Sequence, residues 1–228
     1  MSSTVADSAA RTRSDCSPES RVTRSLLGYG VIAGPVYVLT SVLQGALRQG
    51  FDFTKHDWST LANGPTGWIQ STNLILTGAM TIAFAVGLRR TLDLGRARRV
   101  APRLVSGFGL GMMLAGVFRA DPALGFPAGT PADATTVSWH GMLHLLFGGL
   151  GFLSLIAGCL VLARYFKNRG APGWAGYTRF TGIQFLAGFL CIVAGAHASW
   201  ATLVFTASVV LSFAWIAALA VSRYRSAT

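Results

Sequence analysis

Two histidines stand one helical turn apart in the stretch "HGMLH", at positions 140 and 144. Imidazoles at i and i+4 share a helical face, where they can hold a metal ion between them. Zinc takes nitrogen and oxygen donors in tetrahedral geometry, and three protein ligands leave one position for water. The other two histidines of the chain are His56 and His197. His56, His140, His144 and His197 are therefore the candidate metal ligands, with one zinc ion as the candidate cofactor. The protease form of this motif carries a Glu between its histidines, whereas Gly141, Met142 and Leu143 stand here. A general base would have to come from Asp57 or Asp121, the candidate catalytic carboxylates. The other reading of HxxxH is a pair of polar residues at a membrane interface, hydrogen-bonded to a loop.

The elements that would position these groups follow from composition. Charged residues make up 12% of the chain, about half the usual share of a soluble domain, roughly 25%. With a mean hydropathy of +0.50, that deficit indicates an integral membrane protein. A helix crossing the hydrocarbon core needs about 20 apolar residues. Six runs qualify, at 26–47, 67–88, 104–118, 137–165, 180–196 and 201–221. The third is short and is expected to extend backwards through Ala101 and Pro102, with Arg103 reaching to the interface. The expected fold is all-α, a polytopic membrane bundle of six transmembrane helices over residues 26–222. A polar tail, 1–25, precedes it and reads as disordered, and a basic tail, 223–228, follows. Cys16, Cys159 and Cys191 lie far apart and form no disulfide framework or CxxC site.

Charge orients the bundle. Sixteen of the nineteen Lys and Arg residues fall on the side of the two termini and the second and fourth connections; Arg48, Lys55 and Arg119 fall on the other. The positive-inside rule places both termini in the cytoplasm. The net charge of +11 is then a matter of topology, and a nucleic-acid partner is excluded. The partner expected is the lipid bilayer, with a small-molecule or lipid ligand as a further possibility. All four histidines, with Asp52, Asp57, Asp121 and Asp133, fall on the external side.

Packing signals add detail. Gly107, Gly111 and Ala115 in the third span, and Ala187, Cys191 and Gly195 in the fifth, form small-residue faces that let backbones approach. Gly148 and Gly151 continue the face of His140 and His144, so that pair is expected to point into the bundle. Gly34-Pro35 is expected to kink the first helix. "WSTLAN" reads as a short interfacial helix capped by Asp57 or Ser59, with Trp58 anchored at the headgroups. Gln44, Ser59, Gln70, Asn73 and Arg119 could line a polar pocket, although for the three amides the alternative is interhelical hydrogen bonding. Asp121, before Pro122, suits either a turn or a carboxylate that orients a histidine. "WIQSTNLILTG" and "WHGMLHLLFGG" share a pattern that a duplicated hairpin or common apolar composition would each produce.

The blocks "DWSTLANGPTGWIQSTNLILTGAMTIAFAVGL", "LAGVFRADPALGFPAGTP" and "HGMLHLLFGGLGF" together resemble the bacterial membrane family of domain of unknown function 998 (DUF998), over roughly residues 26–222. The resemblance implies a multi-helix inner-membrane protein and no activity. The order of Ser59 and His56, Asp121, then HxxxH is also similar to the zinc-binding alkaline-ceramidase and adiponectin-receptor superfamily. It departs from that pattern in helix number and in carrying HxxxH on the fourth span. Three functions remain open. They are a protein that binds a ligand, lipid or partner, a metal-dependent hydrolase of lipid-like substrates, and a small-molecule transporter, to which the nearly uncharged midplane is least suited. The topology predicts that a membrane-impermeant reagent labels Lys55 in intact cells and leaves a C-terminal tag untouched; labelling of that tag from outside would reverse the assignment.

Overall fold

A computed structural model describes residues 17–134, 136–195 and 198–227 of the 228-residue chain. Six helices, each long and apolar enough to cross a membrane, follow one another. They are α1 (Pro18–Leu47), α2 (Gly67–Thr91), α3 (Arg96–Val117), α4 (Trp139–Asn168), α5 (Pro172–Ala194) and α6 (Ser199–Ser226). A 3-10 helix, Trp58–Ala62, interrupts the first connection. Each helix packs on the next, and α6 closes the ring against α1. The even number of antiparallel passes collects the long connections 48–66 and 118–138 at one end, the loop end. The connections after α2 and α4 lie with the described chain ends at the other, the basic end.

Helix starts are set by capping chemistry. Ser17 accepts a hydrogen bond from the Ser20 amide at 3.1 Å. Pro18 then occupies the first helical position, where no N–H is needed, and Glu19 sits in the first turn. Helix α1 thus begins eight residues before the apolar run at Leu26, within the segment that reads as tail. Pro172 does the same for α5, which starts eight residues ahead of the expected Phe180. Helix α3 runs from Arg96 through a buried Pro102, and α1 continues past Pro35. Glycine at position 34 is required by α6: a Cβ there would lie 2.9 Å from Phe213 Cβ.

The closest crossings are backbone against backbone. A Cβ on Gly109 of α3 would stand 2.6 Å from the Gly78 carbonyl of α2, and one on Gly78 would overlap the Gly109 carbonyl. Gly111 meets the Gly151 Cα of α4 at 2.7 Å by the same measure. The small-residue face expected on α3 is therefore a packing face. That of α5 is not as expected: Ala187 is exposed, and α5 packs through Gly182, against Cys159, and Gly188, against Ser208. Those two glycines lie nearer the helix middle, where the neighbours approach.

Polar residues on α1 and α2 bond one another. Asn73 Nδ2 donates to the Tyr37 carbonyl at 3.1 Å, to Ser41 Oγ at 3.3 Å and to Gln70 Oε1 at 3.1 Å. Gln70 Nε2 donates to Ser41 Oγ at 3.1 Å. These bonds join α1 to α2 where no water competes. A Gly109→Val substitution is expected to destabilise the bundle by about 1–3 kcal/mol through overpacking, read as a lowered unfolding temperature in detergent. Gly176→Ala, whose Cβ would meet nothing within 4 Å, should leave that temperature unchanged.

Candidate functional site

The two long connections fold over the loop end as one cap, and its centre is His56. Its Nδ1 accepts from the Asp52 amide at 2.9 Å, which places the ring proton on Nε2, 3.1 Å from the Leu124 carbonyl it donates to. The ring sits between Phe51 and Phe126, with centroids 5.4 and 5.3 Å away. Arg48 donates to the Asn63 carbonyl at 2.9 Å and lies over the Phe126 ring at 5.1 Å. Asn63 Nδ2 reaches the Ala120 carbonyl at 3.0 Å. At the rim, Asp52 pairs with Lys55 at 3.4 Å, and hydrogen bonds from Thr54 hold its carboxyl below the ordinary value.

Folding the first connection inward turns the 3-10 helix toward the bundle. Trp58 is buried, 8% exposed, with its ring 5.6 Å from Tyr37. It is not the expected headgroup anchor; Trp68, at the start of α2, is 66% exposed. Asp57 occupies the cap position of the 3-10 helix without a side-chain capping bond. Beneath the 3-10 helix lies a cavity of about 460 Å³. Asp57, Trp58, Ser59, Tyr37, His144 and Thr206 supply its polar groups, and the remaining wall is apolar, with five phenylalanines. Phe108 and Phe213, 5.9 Å apart, form its floor near the middle of the bundle, joined by Phe185 at 6.3 Å from Phe108. Leu145 of α4 and Val193 of α5 line the cavity and are also exposed, at 67% and 65%.

His144 enters this site from α4. Its Nδ1 lies 2.9 Å from both the Ala115 and the Phe118 carbonyls. Both are acceptors, so Nδ1 carries the proton and Nε2 remains as the acceptor of the ring. His140 is placed differently: it is exposed, its ring tilted against that of Trp139 with centroids 3.5 Å apart. Of the two histidines on this helical face, His144 alone is buried. His56 spends both nitrogens on the cap, and His197 lies outside the described residues. Among the described residues, no group of three or more His, Cys, Asp or Glu could hold a metal ion.

Asp121 sits at the start of α4. It accepts from the Ser138 amide at 2.8 Å and from the Ser138 hydroxyl, while Ser138 Oγ accepts from the Gly141 amide at 3.0 Å. A Cβ on Gly141 would overlap the Asp121 carboxylate. The carboxylate thus tightens a helix N-terminus, where negative charge is favoured, and it is not among the residues lining the cavity.

Of the five residues expected to line a pocket, Ser59 does so. Gln44, Gln70, Asn73 and Arg119 do not. Gln70 and Asn73 are spent between α1 and α2. Gln44 Nε2 is bonded to the Leu61 and Thr66 carbonyls at 3.3 and 2.9 Å, which ties α1 to the cap. Arg119 is exposed. Tyr37, Thr206 and the phenylalanine wall were not among the expected site residues, and Trp58 was expected at the headgroups. Only the density of Phe in the last four spans hinted at that wall.

These placements predict that protein purified without chelator has the same metal content, by elemental analysis, as its His140→Ala and His144→Ala variants. Stoichiometric zinc lost on either substitution would restore the metal site.

A family model described as protein of unknown function (DUF998) matches residues 31–222 of the chain. No curated protein and no solved structure matches it.

Proposed function

We propose, on the premise that the chain belongs to the DUF998 family, that it is a protein of the bacterial cytoplasmic membrane that binds a lipid-like molecule in the cavity under its cap. Both termini lie in the cytoplasm, on the weight of the sixteen basic residues that the sequence assigns to the termini and the second and fourth connections. The cavity then opens within the external half of the membrane.

The observation that carries this reading is the distribution of polarity around the cavity. Its polar groups are Asp57, Trp58 and Ser59 of the cap, His144 and Thr206 in the outer parts of α4 and α6, and Tyr37 beside Trp58, and the rest of its wall is apolar. That gradient suits a molecule with an apolar chain and a polar end. Trp58 Nε1 supports it, being buried with no acceptor among the described residues. A buried N–H left unbonded costs about 1–3 kcal/mol, which an oxygen of a ligand would offset. Exposure of Leu145 and Val193 supports entry from the lipid side, between α4 and α5.

Asp57, Ser59 and His144 on one cavity also favour a second reading, hydrolysis of a lipid-like ester with His144 Nε2 as base. The two readings part on turnover: binding alone leaves the extracted lipid intact.

The test uses a cavity-filling variant. Gly148 lines the cavity, and a Cβ on it would meet nothing within 4 Å. Organic extraction and mass spectrometry of the purified parent should yield a lipid species in near-stoichiometric amount. In Gly148→Leu that species should fall by about fivefold or more, as an added side chain takes up apolar volume, with the unfolding temperature retained. Equal amounts in parent and variant would sink the reading.

A further inference from the structure

The basic end of the bundle holds a second concavity, of about 800 Å³, unconnected with the cap. Arg90 at the end of α2, Arg169 after α4 and Arg223 in the last turn of α6 line it, with Glu19, Asp93 and Trp174. Its carboxylates do not neutralise it. Asp93 Oδ2 accepts from the Tyr165 hydroxyl at 2.6 Å and pairs with Arg169 Nε at 3.2 Å. The Tyr165 hydroxyl, and after it the Arg169 charge, hold the Asp93 carboxyl below its ordinary value, so it is ionised and already engaged.

Arg223 is in a different state. Its guanidinium lies over the Phe166 ring at 5.0 Å, and its Nε is buried with no hydrogen-bond acceptor among the described residues. Asp93 attracts it and Arg169 repels it. Folding has thus brought two guanidiniums to one carboxylate and left the Arg223 Nε–H without an acceptor among the described residues. Buried donors in native proteins are almost always answered, and a guanidinium fork matches the oxygens of a phosphate. Carboxylates of the chain could have closed this gap, yet three guanidiniums face two carboxylates among the described lining residues. We propose that this concavity binds a phosphate-bearing anion, with Arg223 as its principal donor, Arg90 and Arg169 as supporting cations and the Trp174 ring at its wall. The phosphate belongs either to a phospholipid headgroup, for which basic pockets between membrane helices are suited, or to a soluble phosphate ester.

Thermal unfolding of the full chain in mild detergent tests this. Sodium phosphate is titrated against sodium chloride at matched ionic strength. In parallel, short-chain phosphatidic acid is titrated against the matching diacylglycerol. The expected result is a saturable rise in unfolding temperature with a phosphate-bearing probe alone. Arg223→Gln should raise the half-saturating concentration about tenfold by removing the bidentate donor. Arg99→Gln, at the same end and not among the lining residues, should change it by less than about twofold, as a screened surface charge. A rise with inorganic phosphate identifies a soluble phosphate as sufficient; a rise with phosphatidic acid alone identifies a headgroup. If Arg223→Gln fails to fold, Arg90→Gln takes its place, with a weakening of about threefold expected from one lost supporting charge. No saturable rise with either probe, or equal effects of the lining and control substitutions, would overturn the proposal.

Discussion

The loop end of the molecule depends on one imidazole. Two connections of about twenty residues each must cover a bundle mouth, and their backbone groups need partners wherever they leave water. His56 supplies partners to both. It accepts from the backbone of its own connection and donates to that of the other, across 68 residues of sequence. The two phenylalanines beside it exclude water from those bonds. A histidine is suited to this because its two nitrogens, in a single tautomer, offer one acceptor and one donor on opposite edges of a rigid ring. With the connections held together, the 3-10 helix is pressed inward. The cavity thereby acquires a polar roof over an aromatic floor.

The same accounting explains where the other polar side chains went. In hydrocarbon, an amide without a partner is costly, so Gln70, Asn73 and Ser41 satisfy one another between α1 and α2. Thr81 returns its hydroxyl to the Thr77 carbonyl at 2.8 Å. Such groups specify which helix faces which, and little of their capacity is left for a ligand. His144 differs in that both its hydrogen bonds use one nitrogen, which is why it joins α3 to α4 and still presents chemistry to the cavity.

The spans were legible because hydropathy over about 20 residues reports a constraint of the solvent, and no tertiary detail alters it. The DUF998 likeness rested on three blocks in order, and the family match covers residues 31–222. Helix ends were less legible. Helices α1 and α5 start at Pro18 and Pro172, in polar or small-residue sequence that hydropathy scores as loop. The site was legible in part: Asp57, Ser59 and His144 line the cavity, whereas Tyr37, Thr206 and the phenylalanines carry no local signal that sets them apart from core residues. Spacing puts His140 and His144 on one helical face, but only His144 is buried, bonded to the Ala115 and Phe118 carbonyls, while His140 lies beside the exposed Trp139. Trp58 has the composition context of a headgroup anchor; its inward turn comes from contacts between connections about sixty residues apart, which no local pattern encodes.

The glycine crossings divide the ring into unequal halves. From α2 through α4 the contacts are main chain on main chain, at Gly78 with Gly109 and at Gly111 with Gly151. Surfaces that close have no side chains to re-rotamerise, so these helices can neither roll nor slide past one another without separating. Around α5 the glycines meet side chains instead, Cys159, Ser208 and the tip of Phe189. Side chains can change rotamer, and the cavity wall at Leu145 and Val193 belongs to that half. The seam beside the cavity thus lies outside the main-chain crossings that lock α2, α3 and α4 together.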